Sequence, residues 1–388
     1  MSTKKIGVGL IGPGSIAELA HFPSIKACKF AELKAVCSPY EEEAKKVAHK
    51  WGAENWYTDY KKMVKHKDID VVIISSPDGY HYEQTIAAAE AGKHVIVEKP
   101  LACTPKEAWS MVNACKKAGV KLMVACNHRF WLQHEIGKEL IDQGVIGEVK
   151  TAKTGMHEHW RLYQENLAKT KFRLNPKETG GPLFDQGSHR VDLLRWLIGS
   201  EVKRVVGIMK KTIEWEYPWP DVVWILMEFE NGVIGCYSSD RFSHVAHDAT
   251  IVFGTEGMMG MSSEGLNPFE SAPLAIYTHK DYDWDTLPDI IKKYRYPLHF
   301  WPEDVFTKPV PKRWISIYPP REWSYTRMLN HFFECILEDK KPRVTGEDGA
   351  KVIEILCAVY KSMEINGWVE LPLKEEIIPP GYKPGYEK

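Results

Sequence analysis

The chain has 388 residues, 44% of them apolar, with 51 basic and 52 acidic side chains and a net charge of −1. That balance excludes a surface built to coat nucleic acid or an anionic membrane, and the apolar share excludes a disordered chain. At about 150 residues per domain, two or three domains with a sizeable core are expected.

The start, Lys4-Lys5 and then an apolar run, imitates a signal peptide, but Gly12, Pro13 and Gly14 interrupt the run and Glu18 ends it. The first third then alternates strand and helix patterns. Ile6 to Ile11 is a short apolar strand ending in Gly-Pro-Gly, with a helix from about Ser15. Glu32 to Cys37 is a second strand, followed by a charged helix from Glu41 to Trp51. The β-branched run from Ile69 fits a strand buried on both faces of a parallel sheet. A helix from His81 to Ala91 closes at Gly92, and Val95 to Val97 is the next strand. Thr104-Pro105-Lys106-Glu107 combines an N-cap, a first-turn proline and a capping-box acid for a helix ending at Gly119. Lys121 to Cys126 completes the series. Strict alternation requires right-handed crossovers, hence an α/β doubly wound parallel sheet over residues 1–126.

Beyond Glu148 the pattern changes. Val149–His157 and Val202–Ile213 read as strands, Val222–Phe229 and Val233–Ser238 as a hairpin around Asn231-Gly232, and Ala249–Phe253 as another strand. Residues 127–388 are therefore expected to form an α+β domain with a large, mostly antiparallel open sheet. The stretch from Leu266 to Pro320 is irregular and reads as a lid or an oligomer contact. Helices near Trp323–Glu338 and Glu347–Asn366 end the chain and are free to pack back on the first domain. Eight scattered cysteines without a CxxC pair suit reduced thiols in a cytoplasmic protein. No run of eighteen apolar residues predicts a membrane span.

Gly12-Pro13-Gly14-Ser15-Ile16-Ala17 fits G-x-G-x-x-G/A between a strand and a helix. Small residues there let the backbone approach a pyrophosphate seated on the helix N-terminus. In this setting Gly12, Pro13, Gly14, Ser15 and Ile16 are read as a dinucleotide loop, with an ordinary turn as the alternative. The acid that grips an adenosine ribose at the end of the second strand is missing; Ser38, Pro39 and Tyr40 stand there. Without that acid NADP is permitted, but no cation follows Ser38, so Ser38 and Tyr40 favour NAD with NADP left open. Glu41 to Glu43 are expected to complement their own helix dipole.

Ser76-Pro77 with His81, Ala91 to Leu101 with its Glu98-Lys99-Pro100, Asn127 to Phe130, Gly180 to His189 and Val344 to Gly349 carry a resemblance in order along nearly the whole chain. It resembles the glucose-fructose oxidoreductase/inositol dehydrogenase (Gfo/Idh/MocA) family. The chain departs from the family pattern at Ser38, at Gln186 and Ser188, and over Leu266–Pro320. The resemblance implies a Rossmann domain, a nicotinamide lying over the second domain's open sheet, a sugar or cyclitol between them, and a cis peptide at Lys99-Pro100. It also implies homodimers or homotetramers packed through that sheet.

Oxidising a carbinol needs hydride transfer and a base for the hydroxyl proton. Asp185 and His189 are i and i+4 on a helix opened by Pro182. Spacing alone favours a cap and a surface histidine; the resemblance places both in reactive positions. His189 is the expected base, since an ordinary imidazole titrates near ~6.5. Lys99 hydrogen-bonds the same oxygen, and Asp185 fixes a sugar hydroxyl or orients the base; the Lys99 and His189 roles are exchangeable. Glu98 faces the nicotinamide ribose or Lys99. Ser76, Pro77 and Asn127 lie at carboxyl ends of parallel strands, where open sheets bind ligands. His81 either touches the cofactor or packs locally.

Arg129, His159, Trp160, Arg161 and Tyr163 are candidate sugar contacts or fold-packing residues, with Tyr237 and Arg241 weaker candidates on the hairpin. His157-x-His159 and His244-x-x-His247 lack a third ligand, so no metal is expected. The function expected is an NAD(P)-dependent oxidation of a secondary hydroxyl in a sugar, glycoside or cyclitol. Redox-neutral glycoside cleavage through transient oxidation is the alternative, and a silent nucleotide sensor would not need Lys99 and His189.

Overall fold

In the first of two sheets, continuous apolar runs become strands buried on both faces. The computed structural model describes residues 5–159, 171–214, 218–244, 247–262, 272–283, 285–294 and 314–387. Its first sheet holds β1 (Ile6–Ile11), β2 (Ala31–Cys37), β3 (Asn55–Tyr57), β4 (Val71–Ile74), β5 (His94–Val97) and β6 (Leu122–Val124). All pair in parallel, in the order β3-β2-β1-β4-β5-β6. Every residue of β1 and β4 is buried, and each large aliphatic among them adds about 1.5–3 kcal/mol of transfer free energy. Helices α1 (Phe22–Ala27), α2 (Glu41–Trp51), α3 (Tyr60–Met63), α4 (His81–Glu90) and α5 (Pro105–Ala118) make the crossovers. Thr104 caps α5 by accepting from the Glu107 amide (3.2 Å), as expected. The Glu107 carboxylate departs from a capping box: it accepts from the Gly385 amide (2.6 Å) and the Tyr382 hydroxyl (3.1 Å), tying the C-terminal tail to the first sheet's helices.

The remaining elements are α6 (Leu132–Asp142), β7 (Val149–His157), α7 (Pro182–Ile198), β8 (Val202–Lys210), β9 (Val222–Phe229), β10 (Ile234–Asp240) and β11 (His247–Gly254). They continue through β12 (Gly257–Ser262), β13 (Leu274–Thr278), α8 (Asp289–Tyr294), β14 (Ile315–Ile317), α9 (Ser324–Leu337), α10 (Gly346–Ile365) and β15 (Val369–Glu370). The strands form one nine-stranded sheet, β14-β13-β12-β11-β7-β10-β9-β8-β15, antiparallel except where β10 runs parallel to β7. The expected irregularity after Leu266 is only partial, because β13 pairs antiparallel with β12, and β14 antiparallel with β13, to extend this sheet. Helices α7 and α10 cover one sheet face, and α10 also packs on α5. On the other face the alternation of β8 to β10 leaves Ile208, Trp224, Leu226 and Ile234 exposed. Among the described residues no helix is long and apolar enough to cross a membrane.

Candidate active site

The order of the first sheet reverses between β1 and β4, which opens a crevice at their carboxyl ends. Gly12 ends β1 there with φ +80°, and a Cβ on it would lie 2.5 Å from the Ser76 amide nitrogen. Only glycine fits both demands. A Cβ on Gly14 would meet nothing within 4 Å, and the Ser15 hydroxyl is buried with no partner among the described residues. A tight turn, free space beside the backbone and an orphaned hydroxyl suit a pyrophosphate, so the residues present fit a dinucleotide. Pro13 and Ile16 flank this turn, and Ser76 and Pro77 line the end of β4, where the Ser76 hydroxyl donates to Gln84 (2.6 Å).

At the end of β2, the buried Ser38 hydroxyl donates to Glu43 Oε2 (2.6 Å) and accepts from the Tyr40 amide (3.2 Å). The Glu43 carboxylate, expected to serve only its helix dipole, is thereby fixed beside the strand end. Tyr40 is exposed next to it.

Glu98 closes β5 and is buried. Its Oε1 accepts from His21 Nε2 (2.8 Å), and its Oε2 from the Lys99 amide (3.2 Å). His21 reaches it from a π-helical turn, Ala17–His21, directly after the glycine loop. Burial raises the Glu98 carboxyl, but His21 and Lys99 outweigh it and hold the group below its ordinary range. The Lys99-Pro100 peptide is cis, as the resemblance implied.

Lys99 Nζ crosses to α7 and donates to both the Asp185 carbonyl and Asp185 Oδ1, each at 3.0 Å. Helix α7 is aimed by the loop before it. Gly79 N donates to the Glu178 carbonyl (2.9 Å), Thr179 to buried Asp78 (2.7 Å), and Tyr360 to the Gly180 carbonyl (2.7 Å). Gly181, at φ +81°, then starts the helix against the Trp219 ring. Asp185 Oδ2 accepts from Arg241 (2.9 Å), and Arg173 Nε lies 3.5 Å from Oδ1. Arg241 continues to buried Glu158 (2.7 Å), which also accepts from Gln186 (2.7 Å). Burial pulls the Asp185 carboxyl up, yet Arg173, Lys99 and Arg241 together hold it well below the usual carboxylate range. It is an ionised hub, not a base.

One turn on, His189 is buried, with Nδ1 unpartnered among the described residues. Burial, Lys99 and Arg190 hold its imidazole well below the ordinary range, with Asp185 pulling the other way. A neutral imidazole beside a charged lysine and an ionised carboxylate can take a proton from a hydroxyl that the lysine holds.

One expectation is corrected, and one alternative left open is decided. Arg129 is no open sugar contact: its Nε and NH2 donate to Asp192 (2.7 and 2.6 Å) and NH1 to the Arg343 carbonyl (3.1 Å), all inside the fold. His81 does not face the crevice either. It is fully buried, and its ring nitrogens lie 2.9 Å from the Pro100 and Ser76 carbonyls, bracing the two strand-end loops. Asn127 donates to Ser324 (3.1 Å) at the end of β6, and His159 stacks on His244 (4.7 Å). Trp160, Arg161 and Tyr163 lie outside the described residues. Sequence reasoning missed His21, Arg173 and Glu158, and ranked Arg241 too low. An acid directly after the apolar-polar pattern of β7 was the available signal for Glu158 and its cation.

A glycine turn at the switch point of a parallel sheet, facing a lysine, an aspartate and a histidine gathered on the helix of a second sheet, defines a two-domain nicotinamide-dependent oxidoreductase. A family model described as an oxidoreductase family with an NAD-binding Rossmann fold matches residues 6–126, and the GFO/IDH/MocA C-terminal domain matches residues 136–260. The chain belongs to the Gfo/Idh/MocA family. It is 26% identical to levoglucosan dehydrogenase of Pseudarthrobacter phenanthrenivorans over 95% of this chain and 99% of that one. It is 27% identical to the NAD(+) scyllo-inositol 2-dehydrogenase of Bacillus subtilis over 89% of this chain and 90% of that one. The solved levoglucosan dehydrogenase complex with NADH and levoglucosan superposes with a TM-score of 0.77, at 26% identity, covering 95% of this chain and all of that one.

Proposed function

We propose that the protein oxidises a secondary hydroxyl of a sugar, glycoside or cyclitol, with His189 as the base and NAD as the hydride acceptor. The observation that carries this is the meeting of Lys99 from the first sheet with Asp185, one turn before His189, at the mouth of the crevice. When bound, a nicotinamide dinucleotide supplies the acceptor for the carbinol hydride. Lys99 Nζ donates to the substrate oxygen and stabilises the charge that develops there. His189 removes the hydroxyl proton through Nε2. Asp185, shared with Arg241 and Arg173, keeps the lysine aimed.

Glu43 supports NAD. Its carboxylate, fixed on Ser38 at the end of β2, stands where a ribose diol needs an acceptor, and it repels a 2′-phosphate. The apolar strip on the open sheet face supports self-association through that face. The stacked pair His159 and His244 is assigned to the proposed sugar side.

The test is turnover with levoglucosan, myo-inositol, scyllo-inositol and a methyl glucoside, each with NAD and NADP. Lys99→Ala and His189→Ala should each lower kcat by roughly 10²–10⁴ while NADH binding stays within about twofold of wild type. Wild-type turnover in either variant removes the assignment, and glycoside cleavage without net NADH replaces dehydrogenation with elimination.

A further inference from the structure

The imidazole of His128 is unused by the chemistry described above. It comes from the short turn Asn127–Phe130 after β6, and it is buried. It lies flat on His189, with ring centroids 4.3 Å apart and planes 10° from parallel. Trp131 packs on it at 4.2 Å and 39°, and Trp131 itself stacks on His134 at 5.2 Å and 9°. His134 Nδ1 donates to the His128 carbonyl (2.9 Å), so both ring and backbone of His128 are held in place.

A ring lying flat on another makes no hydrogen bond to it. What it offers is a plane and a π face. Helix α7 fixes the His189 backbone, and a flat neighbour at van der Waals distance restricts rotation of its ring. When His189 takes a proton, the new positive charge meets the face of a second ring, and a cation over a neutral aromatic face is attracted. His128 stays neutral, because burial and the charges on His189 and Arg190 hold it well below the ordinary range. One proton is therefore the capacity of the stack.

We propose that His128 is a positioning residue for the proton transfer, its stacked ring fixing the plane of His189 and stabilising the imidazolium formed there. This rests on His189 being the base. Among the described residues, the other charged or titratable groups around the stack are Lys99 at the end of β5, Asp185 and Arg190 on α7, and Arg173 from the turn 171–174, with His134 on α6 and Asp248 on β11 behind.

The test compares His128→Phe, which keeps a flat face, with His128→Leu, which removes it. Two readouts are used: kcat and KM against pH with levoglucosan or scyllo-inositol and NAD, and pH-dependent deuterium exchange at the His189 ring C2–H by mass spectrometry, which needs no substrate. His128→Leu should lower kcat about tenfold with KM and NADH affinity within twofold. It should also move the acid limb and the exchange midpoint of His189 to lower pH. His128→Phe should keep wild-type values in both assays. Should the leucine variant not fold, His128→Gln carries the same comparison. A leucine variant with wild-type kcat and midpoint overturns the proposal, as does a folded phenylalanine variant as impaired as leucine. His189→Ala separates the two claims: full turnover there removes the base itself, whereas loss there with an unchanged His128→Leu removes only the positioning role.

Discussion

Asp185→Asn tests the electrostatics of the site with almost no change in shape. The wild-type carboxylate lies 3.0 Å from Lys99 Nζ and 2.9 Å from Arg241 NH2. At an effective dielectric of about 20, each contact is about 5–6 kcal/mol of Coulomb attraction before desolvation is subtracted. Removing one partner of a buried pair costs about 3–5 kcal/mol net, because the cations stay behind uncompensated. The asparagine oxygen still accepts from Lys99, but its amide faces the Arg241 amine, donor against donor. His189 also loses the Asp185 charge that raises its imidazole, so it becomes a weaker base. The expected outcome is a kcat reduced by about 10²-fold, an acid limb of kcat displaced to lower pH, and NADH affinity within about twofold. Adding Arg241→Gln removes one surplus cation while leaving Glu158 a donor, so stability against urea should return and turnover should not. Stopped-flow nicotinamide absorbance against pH, with urea unfolding on the same samples, measures each part. Wild-type kcat and an unmoved acid limb in Asp185→Asn would refute the idea that this carboxylate governs the lysine and the histidine.

Three further outcomes follow from the same geometry. Arg129→Leu should destabilise the fold by about 3–5 kcal/mol and Arg129→Leu with Asp192→Leu should recover most of it; a stable Arg129→Lys with KM raised more than tenfold would return Arg129 to the substrate. Glu43→Gln should narrow the NADH over NADPH preference by about 10–100-fold, the worth of a charged hydrogen bond, read from tryptophan quenching; an unchanged ratio contradicts the ribose role. Burial, with neighbouring cations, keeps the rings of His128, His134 and His189 below the ordinary range, His134 at about 4. Below ~6.5 the unfolded chain therefore binds protons that the folded chain refuses, and stability falls as pH drops, by up to about 1.4 kcal/mol per pH unit per ring. Urea midpoints should track that slope, less steeply in His134→Gln; midpoints flat down to pH 5 would contradict it.

The parallel sheet was legible because burial on both faces writes itself as unbroken apolar runs, as at Val71–Ile74, and because Thr104 and Gly119 mark the ends of a crossover helix. β3 was not legible, since three half-buried edge residues carry no period. β13 was hidden for another reason: Leu274–Thr278 alternates, but prolines and aromatics on either side mask five residues of pattern.

The gathering of Lys99 and Asp185, one turn before His189, was suggested by the family resemblance and not by spacing, which alone favoured a cap and a surface histidine, and the rest was illegible where direction decides. His128 and Arg129 are neighbours in one turn, yet one ring faces His189 and the other side chain runs into the fold toward Asp192. A clue was present. Asp192 stands three residues after His189 and seven after Asp185, so the three share a helix stripe, and the deepest acid on an otherwise apolar stretch requires a buried cation. Assigning Arg129 to that acid leaves Arg241 to join Lys99 and Arg173 at Asp185. The constraint then propagates: once Arg241 is drawn to Asp185, Glu158 must accompany it, and Gln186 finds the partner that an apolar residue there would not need. In this chain the departure at Gln186 is thus coupled to the Asp185 carboxylate through two hydrogen-bonded side chains, and an apolar replacement at Gln186 should loosen Arg241 before it disturbs the helix.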